Sequence, residues 1–467
     1  IWGSCRYGIY TKSPQTGFYS ESYSGGTVAD YMARTGFDAV MIQGASESPV
    51  WLEIFEDGVR FHPAQDLWGL DTYQTEDRVK QLVAEENPDH PKVGVMVIGP
   101  IKAIAFRGSR KKEVADEKVV SEFAKKLAKQ GKDDAGVNAY KTMGTTGLVR
   151  IMNQAGGFPT RYWQKGTFEN WEKISADALH EVKQGRHAGL KIEGPEYETI
   201  YAFGGLCEVD SIEEIMFLND ICDRLGMDTI SAGNLVAFAI EASRQGRIDL
   251  KIDYGQVDDM AGLLEDMAHR KGVGETLARG IKAAAEEWGM EDQAIHVKGL
   301  EPAGYDPRVL KGMGLAYGTA SRGACHLRAT FYKLELTGMV DPDQIEGKAA
   351  VFVEWEDRLT IFDTLILCRF YRDLYQWGEL ETIIGSTTGL KLSTDDMRSI
   401  ATAVTDNTRR FNIREGLQIE DDRLPKRFHN EALESGQVIT EDEMKTLLKE
   451  YYRSRGWDEK GIPPDVE

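Results

Sequence analysis

Asp363-Thr-Leu-Ile-Leu-Cys368 repeats the frame of Asp223-Arg-Leu-Gly-Met-Asp228, 140 residues earlier: an aspartate followed five residues later by a polar or sulfur side chain. A buried aspartate is costly unless several donors meet its carboxylate. A duplicated aspartate in apolar surroundings therefore points to a flat, donor-rich ligand edge held twice. The plainer reading is that each aspartate caps or ends a helix, and spacing alone favours it. Both readings stay open until the rest of the chain is considered.

The chain has 467 residues, 41% of them hydrophobic, enough for a large core divided among two to four domains or gathered in one large assembly. Its formal charge of −20 and pI near 5.0 argue against nucleic acid or an anionic membrane surface as partner. The cysteines at 5, 207, 222, 325 and 368 have no framework spacing, which fits a reducing, cytoplasmic setting better than a secreted disulfide protein. No apolar run reaches transmembrane length and no signal-peptide pattern is present, although a start at Ile1-Trp2 reads as less than a full gene product.

From Tyr7 to about Ser109 the pattern is strand-like. The strand candidates are Ala39–Ile42, Trp51–Phe55, Val59–Phe61 after a turn at Asp57-Gly58, and Val93–Ile98. Beyond the charged run Ser109-Arg-Lys-Lys-Glu113 the spacing turns helical. Val119, Val120, Phe123, Ala124, Leu127 and Ala128 form one stripe, and Ser211–Leu225, Leu235–Ser243, Met260–Arg270 and Glu275–Trp288 are further candidates. Gly299–Pro307 breaks the pattern, and an apolar helix candidate follows at Ala349–Leu367. The predicted architecture is α+β and multidomain: a sheet-rich unit over 1–110, then two mainly α-helical domains over 111–298 and 299–467.

An ordered set of short strings gives this architecture a resemblance. Arg6-Tyr7, Thr11-Lys-Ser-Pro-Gln-Thr-Gly17, Ser24-Gly-Gly26 and Thr35-Gly-Phe-Asp38 come first. Glu193-Gly-Pro-Glu-Tyr-Glu198, the first aspartate frame, Tyr305-Asp-Pro-Arg308 and Arg322-Gly-Ala-Cys-His326 follow, then the second frame, Phe411-Asn-Ile-Arg414 and Leu424-Pro-Lys-Arg-Phe428. In that order, over nearly the whole chain, they resemble the tungsten-containing aldehyde:ferredoxin oxidoreductase family.

The resemblance implies a tungsten or molybdenum bis-molybdopterin cofactor without a protein ligand to the metal, a magnesium ion bridging the pterin phosphates, and a [4Fe–4S] cluster. It implies that Asp223, Gly226, Asp228, Asp363 and Leu367 hold the pterins, with Arg6 at their phosphates, Arg328 in place of a family lysine, and Gly25 near the magnesium. The Tyr23 that replaces an asparagine there need not abolish the ion, which is contacted through main-chain oxygen. Cys368 matches the cluster's fourth thiolate. Thiolate ligation of four irons takes about four cysteines, so one matched cysteine does not build a cluster. Ile366 stands where the family has glycine. Phe217 and Asp220 stand where one branch has an iron-binding pair, so no such iron is expected.

Two residues are expected to carry the chemistry. His326 follows the glycine-dense run Gly312, Gly314 and Gly318, where glycines permit close approach of backbone to a ligand, and its imidazole can donate to an oxo group or a carbonyl. A lone histidine is more often structural; the family match assigns it to polarising an aldehyde oxygen. Glu193, Glu196 and Glu198 share one short run, which by itself reads as a solvated acidic face. Glu198 matches the family position nearest the metal, where an apolar cavity would raise its pKa and let it take a proton.

The family pattern also has segments that this chain lacks: a glycine-rich phosphate loop at Pro100-Ile101, a three-cysteine run at Ala188-Gly189, and strand structure before Ile1. Either cofactor-proximal loops have been left out of the sequence, as in a preparation without cofactor, or the homologue is shortened and cannot hold a cluster. A measured mass near 52.2 kDa would exclude the first. The implied activity is oxidation of a small aldehyde to a carboxylic acid, with electrons passing through the cluster to ferredoxin or an iron–sulfur subunit, in a possible homo-oligomer. The alternatives are a benzoyl-CoA-type acyl-thioester reductase subunit and a cofactor-free scaffold.

Overall fold

The computed structural model describes residues 3–89, 92–98, 102–182 and 194–465. The junctions at Pro100-Ile101 and Ala188-Gly189, and Glu193, lie outside these. Strands β1 (Tyr7–Lys12) and β2 (Tyr19–Ser24) form an antiparallel hairpin, with Tyr7 opposite Ser24. Strands β3 (Val50–Phe55), β4 (Gly58–Pro63), β5 (Gly94–Ile98) and β6 (Lys102–Phe106) form a second sheet in the order β4-β3-β6-β5, in which only β3 and β6 run parallel.

The two-residue period of a strand sorts this sheet's side chains onto two covered faces. Trp51, Val95, Ala103 and Ala105 pack with Val79 and Val83 of α2 (Thr72–Glu86). Leu52, Ile54, Met96, Ile104 and Phe106 pack with Val28 of α1 (Thr27–Arg34) and with Tyr7 and Ile9 of the hairpin. Helix α2 starts where Asp71 and Gln74 form a reciprocal capping box. The expected strand at Ala39–Ile42 is absent: the segment is irregular, with Met41 82% exposed. Of the run only Val40 packs on the sheet's apolar cluster, and Ile42 is 45% exposed, too little burial to hold a strand.

From Glu117 onward the described elements are helical. Those that shape the site are α3 (Glu117–Asp133), α4 (Ile212–Leu225), α5 (Thr229–Arg244), α6 (Lys311–Thr319), α7 (Lys348–Thr364), α8 (Thr394–Arg414) and α9 (Glu441–Arg455). One apolar cluster joins residues from Val149 to Trp457, while a second lies beneath α3, α7 and α8 and contains Phe123, Leu127, Leu359, Phe362, Met397 and Ala401. The helix expected over Glu275–Trp288 is divided at Gly280, whose φ of 94° no helix accepts. The one expected to reach Leu367 stops at Thr364.

The glycine-dense run needs a correction as well. Gly312, Gly314 and Gly318 lie on the buried helix α6, where a Cβ would meet Phe331 at 2.2 Å, Ile439 at 2.8 Å and Met444 at 2.5 Å. They let neighbouring side chains seat against a helix axis; ligand approach is not what they serve.

Candidate functional site

Both aspartate frames fold in the same way. Asp223 and Asp363 occupy the last turns of α4 and α7. In each frame the fourth residue is left-handed, Gly226 with φ 71° and Ile366 with φ 54°. In each, its amide donates to the aspartate carbonyl (3.3 and 3.1 Å), and the next amide donates to the carbonyl one residue before the aspartate (2.8 and 2.9 Å). This is a glycine-type helix C-cap, and Ile366 adopts it despite its branched Cβ. The sixth residue opens the next helix: Asp228 accepts from the Ser231 amide at 2.8 Å as N-cap of α5, and Cys368 is the N-cap of a short 3-10 turn. The helix-ending reading of the frame is therefore correct for both copies, and it leaves the ligand reading open.

Their surroundings differ. Asp223 and Asp228 are exposed, so the premise of burial fails for the first frame; Asp223 accepts from Asn219 at 2.8 Å, and its carbonyl receives the Thr72 hydroxyl of α2 at 2.7 Å. Asp363 is 7% exposed and is held by the Arg369 guanidinium at 2.6 Å, with Arg328 at 3.5 Å. Arg328 in turn pairs with Glu21 of β2 at 2.8 Å, where Tyr19 and Tyr23 also donate. Cys368 donates its amide to the Gly3 carbonyl and lies 3.5 Å from an Arg6 nitrogen, while Ser4 bridges to Leu367. A Cβ added at Gly25 would meet only the Cys5 carbonyl, at 3.7 Å.

A cavity of about 170 Å³ lies beside the second frame. Arg6, Asp363 and Leu367 line it, and so do Glu198 and His326, from distant parts of the sequence. Gly226, Asp223, Asp228, Gly25, Arg328 and Cys368 are not among its lining residues.

Glu198 sits on a single α-turn that passes directly into a buried π-helical stretch, Ile200–Gly205. Such stretches are uncommon and recur at functional sites. The facing segment is irregular and is fixed through its carbonyls: Tyr197 donates to Gly304, Tyr201 to Pro302 at 2.6 Å and Tyr317 to Ala303 at 2.9 Å. So fixed, the Gly304 amide donates to Glu198 Oε2 at 3.0 Å, while Glu198 Oε1 is buried with no hydrogen-bond partner. Glu196 is exposed at the cavity wall and accepts from Thr145.

Burial pushes the Glu198 carboxyl up to about 7, against the opposing pull of the Gly304 amide and the Tyr305 hydroxyl. Burial, reinforced by the charges of Arg322 and Arg369, lowers His326 to about 3, so its imidazole is neutral at neutral pH. His326 Nε2 stands 3.5 Å from Glu198 Oε1. That is too long for a hydrogen bond, and a neutral ring makes no ion pair. A carboxyl poised near neutrality and a neutral imidazole therefore face one cavity without neutralising each other. Sequence reasoning did not single out Arg369 and Arg372, which also line it; two arginines three apart, directly after Cys368, were the available signal.

A model of the N-terminal domain of aldehyde ferredoxin oxidoreductase matches residues 1–109, and a model of its domains 2 and 3 matches 122–466. The chain is similar to the tungsten-containing aldehyde ferredoxin oxidoreductases of Thermococcus kodakarensis (31% identity) and Pyrococcus furiosus (30%), each across 98% of this chain and 86% of the relative. These alignments run to 520 residues against a chain of 467, so the relatives carry segments that this chain does not. An aliphatic sulfonate oxidoreductase WOR-like subunit of Pyrococcus furiosus is 22% identical over 98% of the chain and 84% of the relative. Among solved structures, the active site complex BamBC of benzoyl coenzyme A reductase in complex with 1,5 dienoyl-CoA shares the fold, with a TM-score of 0.80 at 18% identity over 99% of this chain and 85% of that one.

Proposed function

Because this chain belongs to the aldehyde ferredoxin oxidoreductase family, we propose that it oxidises small aldehydes to carboxylic acids, using a tungsten or molybdenum bis-molybdopterin and delivering electrons to ferredoxin or an iron–sulfur partner. The observation that carries this reading is the pairing of a high-pKa Glu198 with a neutral His326 in one cavity.

The residues present fit the metal–pterin group in part. Arg6 offers a planar guanidinium at the cavity wall, and Glu198 Oε1 and one Arg369 nitrogen are buried without partners. Asp223 and Asp228 at the first frame are accessible to the donor edge of a pterin. At the second frame Asp363 already holds Arg369, which a pterin edge would have to displace or share. When bound, the group would supply the two-electron redox chemistry. The thiols do not fit a [4Fe–4S] cluster: Cys5 is the neighbour of Cys368, whereas Cys207 and Cys222 belong to the apolar core, and about four thiolates are needed.

The neutral His326 imidazole donates its N–H to the aldehyde oxygen, making the carbonyl carbon more electrophilic. Glu198, ionised at Oε1 and steadied at Oε2 by the Gly304 amide, takes a proton from the attacking water. Overall the aldehyde and one water give the acid, two protons and two electrons. Tyr197 and Tyr305 close the cavity wall and limit access of bulk water. We also propose the division of the chain at about residues 110 and 298.

Anaerobically purified protein should contain about one tungsten or molybdenum per chain and reduce a viologen dye with an aldehyde. The His326→Ala variant should keep the metal and lose most of that turnover. Protein free of both metals, or a fully active metal-loaded His326→Ala, would refute the reading.

A further inference from the structure

Thr330 closes the turn that presents His326. Its amide donates to the His326 carbonyl at 2.9 Å, and its own carbonyl accepts from the Lys333 amide at 3.2 Å. Its φ is 43°, in the left-handed region, where Thr330 and Ile366 are the two β-branched residues among those described. A branched Cβ is crowded by the backbone there, and glycine or asparagine would hold the same turn with less strain. The conformation persists because the chain is fixed on both sides, by the His326 carbonyl and by Phe331, which is fully buried against Gly312.

The side chain adds a second cost. Thr330 is 1% exposed and its Oγ1 has no hydrogen-bond partner, which is unfavourable for a buried hydroxyl. Glycine here would remove both costs, so the turn by itself does not account for a threonine. Thr330 lines the same cavity as Glu198 and His326.

Four buried side-chain atoms without partners belong to residues of this wall: Glu198 Oε1, Thr330 Oγ1, Arg369 Nη1 and Arg372 Nε. The arginine nitrogens only donate, whereas the two oxygens accept. A water that attacks a carbonyl carbon has two O–H groups to place, and Glu198 takes one. Held by that acceptor alone the water swings about a single bond; a second acceptor turns a lone pair toward the carbon. We propose that the Thr330 hydroxyl is this second acceptor, a positioning residue that orients the water which Glu198 deprotonates. This role rests on the aldehyde-oxidising reading. The water oxygen bonds to the carbonyl carbon, its proton passes to Glu198 Oε1, and Thr330 keeps its own proton throughout. His326 donates to the aldehyde oxygen from the other end of the turn, so a single turn aligns both reactants.

The test uses the metal-loaded enzyme with butanal and a viologen acceptor, together with the melting temperature of each variant. Thr330→Val keeps the branched shape and removes the hydroxyl. Its kcat should fall tenfold or more with KM little changed, while its melting temperature stays level or rises, because an unpartnered polar group has left the core. Its turnover should still rise with pH through about 7, since Glu198 remains the base. Thr330→Ser should recover most of the lost kcat. Wild-type kcat in Thr330→Val, or a Thr330→Ser as slow as Thr330→Val, would overturn the proposal. So would a Thr330→Val that loses stability and kcat together, which would mark the hydroxyl as structural. A wild type that oxidises no aldehyde would sink the oxidation reading and this role with it, whereas an active wild type matched by Thr330→Val would sink the role alone.

Discussion

At the scale of single residues, the protonation of two buried groups decides what the cavity can do. Glu198 accepts a proton only when ionised, so with a pKa near 7 turnover should rise with pH through about 7 and level off above it. His326 contributes no limb in that range, because its proton is lost far lower. Glu198→Gln should abolish the rising limb and cut kcat by about 10²–10⁴-fold, a range typical for loss of a positioned base. An unchanged pH profile in a metal-loaded Glu198→Gln would remove the base from the scheme.

Glu301 carries the same signature outside the cavity. It is 1% exposed, one oxygen accepts from Ser231 at 2.9 Å, and burial raises it to about 7 while its other oxygen has no partner. Its folded pKa lies above the unfolded value, so the folded state binds more protons between pH 4.5 and 7, and stability falls as pH rises through that window. A rise of this size corresponds to roughly 3 kcal/mol lost in full above the folded pKa. Glu301→Gln should match the wild type near pH 4 and exceed it increasingly up to pH 8 in urea titrations. A stability difference that does not change with pH would contradict this account.

Among elements, the duplicated frame shows how much local sequence could say. The helix-ending role of the aspartates is one reading of the six-residue spacing. The left-handed residue is not part of that reading, and at Ile366 the branched side chain conceals it, so the helix expected to run on to Leu367 ends at Thr364. At Gly226 an added Cβ would meet only Thr72 Cγ2, at 3.6 Å, so there is room for a side chain and the remaining obstacle is the φ of 71°. Gly226→Ala should therefore cost about 1–2 kcal/mol as backbone strain alone, measurable by chemical denaturation. A neutral result would mean that the cap relaxes out of the left-handed region. What the frame could not announce is Arg369 folding back onto Asp363, or the exposure of Asp223, since both depend on neighbours brought in by tertiary packing. The same limit explains Gly312, Gly314 and Gly318, which look like a ligand loop in sequence because the residues they accommodate, Phe331, Ile439 and Met444, come from elsewhere in the chain.

Across the whole molecule, the cavity exists because the N-terminal hairpin is held against the helical body, and that attachment is polar. Glu21 of β2 is 4% exposed and joins Arg328, two residues beyond His326, to the hairpin. Arg322 donates to the Glu21 carbonyl at 2.8 Å. Asn412 of α8 accepts the Tyr19 amide at 2.8 Å and donates to the Ser321 carbonyl at 2.7 Å, so hairpin, helix and the His326 segment meet at one side chain. Of the residues making these contacts the ordered strings of the sequence contain only Arg322 and Asn412, and nothing in them reveals that the two meet the hairpin. Glu21→Leu would leave Arg328 beside Asp363, whose charge Arg369 already shares. Breaking a buried pair in this way typically costs about 3–5 kcal/mol. If the attachment works as described, the loss should appear first as protease cleavage near the hairpin and as a shift of the His326 ring signals in NMR, before global unfolding. Uniform destabilisation, with the hairpin no more susceptible than the helices, would mean that the apolar contacts of Tyr7 and Ile9 with the four-stranded sheet hold the hairpin in place without the ionic bridge.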